Sequence, residues 1–429
     1  MENGYGRRLL LSEIANMQLE NFQTMSAMKS LDTQIQCVRC GFISEKAEVR
    51  LPDESFYCPN CINLGRVRSS ELLYFLPDNQ LFDVKEKVLR WCGQLTLAQQ
   101  KISDELVANT EDTLVHAVTG AGKTEMIYQV LACVLEAGGH VCLTSPRVDV
   151  CIEIFARLKR DFAVPMQLLY ADGDDYKRTN LVVCTVHQLM RFYQSFDLMI
   201  IDEVDAFPLV NHPSLNWAIE HARKLSARTI YLTATPTAAL VEKAGRGEIL
   251  SLVLDRRFHG KPLVLPKFVW CSSLLDKLKQ EKLSGKLRRI IAQQRVSRYP
   301  LLLFVPEIRL GLILQKLLKQ FLTEDSIGFI SSQSNDRKKI SLAFKSGEYT
   351  VLIATTVLER GVTFSGIDCM VIGSDHRVFT TESLIQIAGR VGRDVKRPSG
   401  LLLFFHQGKT QAMVRTLKSI KAMNQGGMR

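Results

Sequence analysis

Ala117-Val118-Thr119-Gly120-Ala121-Gly122-Lys123-Thr124 runs out of an apolar, strand-like stretch (Thr113 to Val118) and into a helix-length one (Thr124 to Leu135). Gly120 and Gly122 permit backbone conformations in which successive N–H groups surround phosphate oxygens, and the start of a helix adds the positive end of its dipole. Read this way, Thr119, Gly120, Ala121, Gly122, Lys123 and Thr124 form a nucleotide-binding turn. Lys123 reaches the β and γ phosphates of ATP, and Thr124 places its hydroxyl on Mg²⁺. The strict pattern has Gly where Ala117 stands. The competing reading is a glycine-rich turn followed by an incidental Lys-Thr pair.

That competing reading weakens further along the chain. Leu198-Met199-Ile200-Ile201 is an apolar run ending in Asp202-Glu203-Val204-Asp205. Asp202 is the expected Mg²⁺ ligand through water, and Glu203 the residue that polarises the attacking water. Around these two strings, apolar strand-like runs alternate with helix-length segments: Val141 to Thr144, Val148 to Leu158, Leu181 to Thr185 and Thr229 to Leu232. Such runs belong to a parallel sheet covered on both faces. The rhythm restarts with Leu301 to Val305, Ile327 to Ser331, Val351 to Ala354, Cys369 to Ile372 and Leu401 to Phe405, so two doubly wound domains follow one another, joined near residues 256 to 298.

The chain has 429 residues, enough for two or three domains with cores of their own, and a 46% apolar, 23% charged balance that is neither disordered nor fibrous. Its formal charge of +11 hints at a polyanionic partner, although a membrane surface or simple solubility would also fit. The distribution sharpens the hint. After Asp394 the chain carries Lys396, Arg397, Lys409, Arg415, Lys418, Lys421 and Arg429 and no acidic residue, and Lys282, Lys286, Arg288, Arg289, Arg295 and Arg298 lie between the two α/β series. No apolar run is long enough to span a membrane and no signal peptide is visible, so a soluble, cytoplasmic protein is expected.

Eleven cysteines, an odd count, argue against a disulfide framework. Four of them form two paired hooks, Cys37-x-x-Cys40 and Cys58-x-x-Cys61. Each hook aims two thiolates at one ion, and together they complete a tetrahedral sulfur site for Zn²⁺. An iron–sulfur centre or a redox dithiol shares the pattern. A closed four-thiolate site leaves no position for water and is therefore structural, its binding energy acting as folding energy for a segment too short to have its own core. Ahead of it, Leu9, Leu10, Leu11, Ile14, Met17 and Leu19 form a mildly amphipathic pattern that suggests a helical arm.

The remaining strings resemble the motifs of superfamily 2 helicases and occur in their order. Leu95-Thr96-Leu97-Ala98-Gln99 resembles the Q motif, which implies that Gln99 recognises adenine. Ser145-Pro146-Arg147 and Thr185-Val186-His187-Gln188 resemble motifs Ia and Ib, implying nucleic-acid contacts by Ser145, Pro146, Arg147, Thr185 and His187. Thr233-Ala234-Thr235 resembles motif III, implying that Thr233 and Thr235 couple hydrolysis to domain movement. Residues 354 to 363 resemble motif V, with Thr355 and Thr356 toward nucleic acid and Gly361 toward the nucleotide. Gln386-Ile387-Ala388-Gly389-Arg390-Val391-Gly392-Arg393 resembles motif VI, implying a coupling role for Gln386 and arginine-finger roles for Arg390 and Arg393. Physically, such arginines neutralise charge developing on the γ-phosphoryl group. The acidic string reads Asp-Glu-Val-Asp where the best-known RNA helicases have Asp-Glu-Ala-Asp.

The fold class expected is therefore α/β, two tandem RecA-like doubly wound parallel-sheet domains preceded by a small zinc-binding module. The expected divisions are an arm at 1–35, the four-cysteine module at 36–64, a connector at 65–92, domain 1 at 93–262 and domain 2 with its basic tail at 263–429. A zinc module ahead of a compact two-domain motor resembles the ComFA family of late-competence DNA-uptake ATPases. That resemblance implies a single-stranded-DNA-stimulated ATPase using ATP, Mg²⁺ and Zn²⁺. It also implies a peripheral position at the inner face of the cytoplasmic membrane, the partners ComEC and ComFC, and room for a homo-oligomer. Replication-restart helicases of the PriA type share the motifs but carry their cysteines between them. An RNA helicase shares the motor strings as well, and a nucleic-acid-binding adaptor with a decayed ATPase core would share the zinc module and the basic charge.

Overall fold

The computed structural model describes residues 2–14, 19–83, 87–171, 173–210, 212–359, 362 and 364–426. The chain divides into two compact units, residues 1–116 with 123–252 and residues 117–122 with 253–429.

The first unit begins with strands where the sequence suggested a helix. β1 (Arg8–Leu10), β2 (Gln23–Ser26), β3 (Met28–Leu31), β4 (Gln34–Cys37), β5 (Ile43–Glu45) and β6 (Leu72–Phe75) form two three-stranded antiparallel sheets, ordered β1-β6-β2 and β3-β4-β5. Arg8, Leu9 and Leu10 are all buried, and antiparallel pairing with β6 decides their conformation, while Leu11 and Leu19 fall in short 3-10 turns. Met17, part of the amphipathic pattern, lies outside the described residues. The chain before the first cysteine pair and the chain after the second thus share one sheet.

The larger sheet of this unit comprises β7 (Thr113–Ala117), β8 (Val141–Ser145), β9 (Met166–Leu169), β10 (Leu181–Thr185), β11 (Phe196–Asp202), β12 (Arg223–Thr233) and β13 (Leu250–Leu254), in the order β13-β7-β12-β11-β8-β10-β9. The pairs β7–β12, β12–β11, β11–β8, β8–β10 and β10–β9 are parallel. Helices cover the sheet, so strands such as β8 and β10 are buried along their whole length, which explains their unbroken apolar runs. The second unit repeats the plan with β14 (Lys267–Trp270), β15 (Leu301–Phe304), β16 (Ile327–Ile330), β17 (Val351–Ala354), β18 (Asp368–Ile372) and β19 (Leu402–His406). Their order is β14-β19-β18-β15-β17-β16, parallel throughout.

Within the first unit the cysteine module is not a separate bead. Cys37, Cys40, Cys58, Cys61 and Ile35 belong to the same buried cluster as Leu189, Phe196, Met199, Leu215 and Ala218 of the α/β layer. The helix Pro213–Ala222 presents Trp217 to the module, and its indole N–H donates to the Val38 carbonyl at 3.3 Å. Gly41 lies against the indole with φ of 70°, and a Cβ there would come within 2.4 Å of the ring. Glu13 fastens a second corner, accepting from Arg39 at 3.2 Å and facing Arg191 at 3.4 Å.

Gly41→Ala should therefore destabilise the first unit by about 2 kcal/mol or more, combining left-handed backbone strain with overpacking. Trp217→Ala removes the overlap but not the strain, so the double variant should lose less than the sum of the two single losses. Urea denaturation of all four proteins measures the coupling, and strict additivity would show that the indole does not seat the module.

Candidate nucleotide and metal sites

Because its neighbouring strands run parallel, the principal sheet of the first unit delivers its C-terminal residues to one edge. There lie Ser145 ending β8, Thr185 ending β10, Asp202 ending β11 and Thr233 ending β12. β7 reaches the same edge beside β12, with His116 opposite Thr233, and the chain resumes at Lys123 in the short helix Lys123–Met126, which includes Thr124. Crevices outside the carboxyl ends of parallel strands are where such folds bind ligands.

The carboxylate string is held in a bent conformation. Glu203 has φ of 56°, a region that residues with a Cβ rarely occupy, and its amide donates to Asp202 Oδ1 at 2.9 Å. The turn closes with Ala206 N donating to the Glu203 carbonyl at 2.8 Å. Asp205, to which sequence reading gave no role, accepts from Thr233 Oγ1 at 2.6 Å and from Thr235 Oγ1 at 2.5 Å. Thr235 N donates in turn to Thr233 Oγ1 at 2.9 Å. One buried carboxylate thus joins the acidic string to the Thr-Ala-Thr string. Charge-assisted bonds in a dry setting make a stiff link.

Gln99 is the third residue of the helix Leu97–Ala108. Its Oε1 accepts from Thr96 N at 2.9 Å, while its own N–H donates to Thr96 Oγ1 at 3.3 Å. This is a reciprocal cap of the helix N-terminus, so the side chain expected to recognise adenine also serves the helix.

In the second unit the glycine-rich turn and the Gln386–Arg393 string are neighbours. Gly120 and Gly122 have φ of 79° and 75°, conformations that need glycine, and Ala121 N donates to the Val118 carbonyl at 3.1 Å. Thr119 is buried, and its Oγ1 has no hydrogen-bond partner. A Cβ on Gly389 would sit 2.0 Å from that oxygen, so glycine is required where the two segments meet. The helix Thr381–Ala388 carries buried Gln386 and ends at Gly389. Arg390 is buried and donates from Nε to the Glu359 carbonyl at 3.2 Å, and Arg393 Nε donates to the Gly389 carbonyl at 2.8 Å.

Residues expected at nucleic acid lie at strand ends. Ser145 is fully buried with Oγ unpaired, Pro146 and Arg147 lead into the helix Val148–Asp161, and His187 lies in the 3-10 turn Val186–Arg191. Burial, and then the neighbouring His212, lower the His187 pKa. Thr355 and Thr356 follow β17. Gly361 lies outside the described residues.

The four cysteines converge. Cys37 ends β4, Cys40 lies on the turn after it, and Cys58 and Cys61 flank the start of the 3-10 helix Pro59–Leu64. All four sulfurs lie within 4.8 Å of one another, with Cys37–Cys61 at 3.9 Å and Cys40–Cys58 at 3.5 Å. A tetrahedral site with Zn–S bonds of about 2.3 Å requires sulfurs about 3.8 Å apart, so the cage has the right size. Two fully buried arginines, unmarked by sequence reading, adjoin it. Arg8 Nη2 donates to the Arg39 carbonyl at 2.8 Å, and Arg39 donates to the Leu64 and Gly65 carbonyls at 3.0 and 3.3 Å. Burial lowers the Arg8 pKa to about 10, and the Cys37 thiolate partly offsets this. A divalent ion with four thiolates carries two negative charges. The two buried guanidiniums, of which Arg39 is also paired with Glu13, would supply part of the counter-charge.

Residues 96–243 match the DEAD/DEAH box helicase family, and residues 282–395 match the helicase conserved C-terminal domain. Among solved structures, a Saccharomyces cerevisiae Dbp5 complex with RNA and ADP BeF3 has a TM-score of 0.57 at 16% identity, covering 78% of this chain and 93% of that one. RecG bound to a three-way DNA junction has a TM-score of 0.54 at 19% identity, covering 78% and 47%. These likenesses establish the fold, a pair of RecA-like helicase domains. Whole-chain relatives go further. Competence protein ComFA of Streptococcus pneumoniae is 46% identical over 422 residues, 98% of this chain and 97% of that protein. Its Bacillus subtilis counterpart is 37% identical over 404 residues, 91% and 86%. No helix among the described residues is long and apolar enough to cross a membrane. With its helicase domains and its zinc-type cysteine cluster, the chain belongs to the ComFA family, competence-related, DNA-helicase-like ATPases of superfamily 2.

Proposed function

We propose that this protein is a single-stranded-DNA-stimulated translocase that draws transforming DNA into the cytoplasm. The observation that carries the reading is the clustering of nucleotide-type strings at the carboxyl edge of one parallel sheet, in a chain similar from end to end to competence proteins. In this reading the functional divisions are the arm at 1–35, the module at 36–64, the connector at 65–92 and motor domains at 93–262 and 263–429. Nucleic-acid stimulation, peripheral attachment to the inner membrane face, engagement of ComFC and the ComEC channel, and any self-association belong to the same proposal.

The site residues take roles that their chemistry suits. The turn Thr119 to Gly122 cradles phosphates with backbone N–H groups, and Lys123 neutralises the β and γ oxygens. Thr124 and Asp202 offer the hard oxygen ligands that Mg²⁺ prefers, and the ion when bound offsets phosphate charge. Glu203 orients and polarises the attacking water, and Arg390 and Arg393 stabilise charge on the transferring group. Gln99 reads adenine. Gly361 adjoins the nucleotide, while Gln386, Thr233 and Thr235 relay its state. Ser145, Pro146, Arg147, Thr185, His187, Thr355 and Thr356 line the DNA path. Cys37, Cys40, Cys58 and Cys61 hold Zn²⁺ as a structural ion.

ATPase rates titrated separately with single-stranded DNA, duplex DNA and RNA, at one stated salt concentration, test the reading directly. Single-stranded DNA should stimulate most; equal or stronger stimulation by RNA would overturn the DNA assignment. Lys123→Ala and Arg393→Ala should each lower stimulated turnover by about a hundredfold or more, and wild-type turnover in either would remove that residue from the machinery. Cys37→Ser combined with Cys40→Ser should abolish stoichiometric zinc by elemental analysis and lower the melting temperature of the first unit. Unchanged zinc content would refute the four-thiolate site.

A further inference from the structure

Arg257 lies in the segment that follows β13, within the run Asp255-Arg256-Arg257-Phe258, where sequence alone gives no reason to separate it from solvated charge. It is 3% exposed. Among the described residues it makes no ion pair. Its donors go to main-chain carbonyls: Nη1 to Val391 at 2.9 Å and to Gly392 at 2.6 Å, and Nη2 to Gly389 at 3.4 Å. Its Nε is buried without a partner.

These carbonyls belong to one feature. The helix Thr381–Ala388 ends at Gly389, and the last turn of any helix leaves carbonyls without intrahelical donors at the negative end of its dipole. Here the Gly389, Arg390 and Val391 amides meet the Ile385, Ile387 and Ala388 carbonyls, and Arg257 donates to the carbonyls at and just beyond the helix end, placing a positive charge there. The Gly389 carbonyl that receives Nη2 also receives Arg393 Nε at 2.8 Å, so two arginines converge on one oxygen. His259 adds a contact to the Gly392 carbonyl at 3.1 Å.

The same segment is fastened to the glycine-rich turn. Val118 N donates to the Leu254 carbonyl at 3.0 Å, and Phe258 N donates to the Gly120 carbonyl at 3.3 Å. The Arg257 stem passes 3.9 Å from where a Cβ of Gly120 would stand. A continuous path therefore runs from the phosphate turn through residues 254–258 and one guanidinium to the turn bearing Arg390 and Arg393.

We propose that Arg257 is a positioning residue for hydrolysis: its guanidinium fork fixes the Gly389–Arg393 turn, and with it Arg390 and Arg393, relative to the glycine-rich phosphate turn. This rests on the assignment of those two arginines to hydrolysis. The role needs the planar fork, because several carbonyls are satisfied at once by donors in fixed relative directions. A lysine ammonium keeps the charge and most of the stem but not that geometry.

The test uses the full-length protein and four forms: wild type, Arg257→Lys, Arg393→Ala and the double variant. Single-stranded-DNA-stimulated kcat and KM for ATP are measured, together with the affinity for a fluorescent ADP analogue and the melting temperature. Arg257→Lys should lower kcat by about tenfold, leaving KM and ADP affinity within about threefold of wild type, because the lost contact matters in the transition state. Arg393→Ala should be the slower single variant, and the double variant should be no slower than Arg393→Ala, since both changes act through one turn. Wild-type kcat in Arg257→Lys overturns the proposal, as does a lowered melting temperature with unchanged kcat or a double variant showing the product of the two single losses. Wild-type turnover in Arg393→Ala would instead remove the underlying assignment of the arginine turn.

Discussion

Parallel strand pairing is the constraint from which the rest of this molecule follows. A parallel sheet must return each chain across its face before adding the next strand, so every strand finishes at the same edge. In the first unit that edge gathers Asp202, Thr233, Ser145 and Thr185 although they lie far apart in sequence. No side chain has to reach across the sheet. Backbone direction alone brings carboxylate, hydroxyl and backbone donors together, and the short links that remain, such as Asp205 to Thr233 and Thr235, then fix their spacing. The left-handed backbone of Glu203 is part of this arrangement, since local strain persists only where surrounding bonds over-determine it.

Buried positive charge is the second organising element, handled in two ways. Around the cysteine cage, Arg8 and Arg39 are desolvated beside thiols whose metal-bound form is dianionic, so charge answers charge. Beside the Gly389–Arg393 turn, Arg257 has only carbonyl dipoles as partners among the described residues. A guanidinium tolerates that setting better than an ammonium because its charge is delocalised and more weakly hydrated. Burial still lowers its pKa to about 10, which leaves it protonated at neutral pH.

How much of this was legible in the sequence depended on how local the chemistry is. The glycine-rich turn and the two cysteine hooks each gather their residues within a few positions, so both announce themselves as strings. The long buried strands did too, because two covered faces demand unbroken apolar runs. β9, β13 and β14 did not: they are only partly buried and their patterns are mixed. The first 35 residues misled for a different reason: Leu9 and Leu10 are buried, but their conformation is set by pairing with β6 some sixty residues downstream. Gln99 was expected to recognise adenine from its resemblance to the Q motif, and its part in capping the helix was not marked by the string. Asp205, Arg8, Arg39 and Arg257 were invisible as individuals, since a carboxylate or guanidinium gains its meaning here from burial and from partners tens to hundreds of residues away.

The cysteine module shares its interior with the first α/β layer, with Trp217 and Gly41 in close contact at the seam. Evolution could not trim such a module as it trims a tethered finger on a linker. Deleting residues 1–64 would strip one wall from the hydrophobic core and uncover Leu215, Ala218 and the Trp217 ring on the helix that follows the acidic turn. The first α/β layer and its cysteine cage are in this sense a single heritable part, and whatever holds the cage closed also supports the fold of the layer it is packed against.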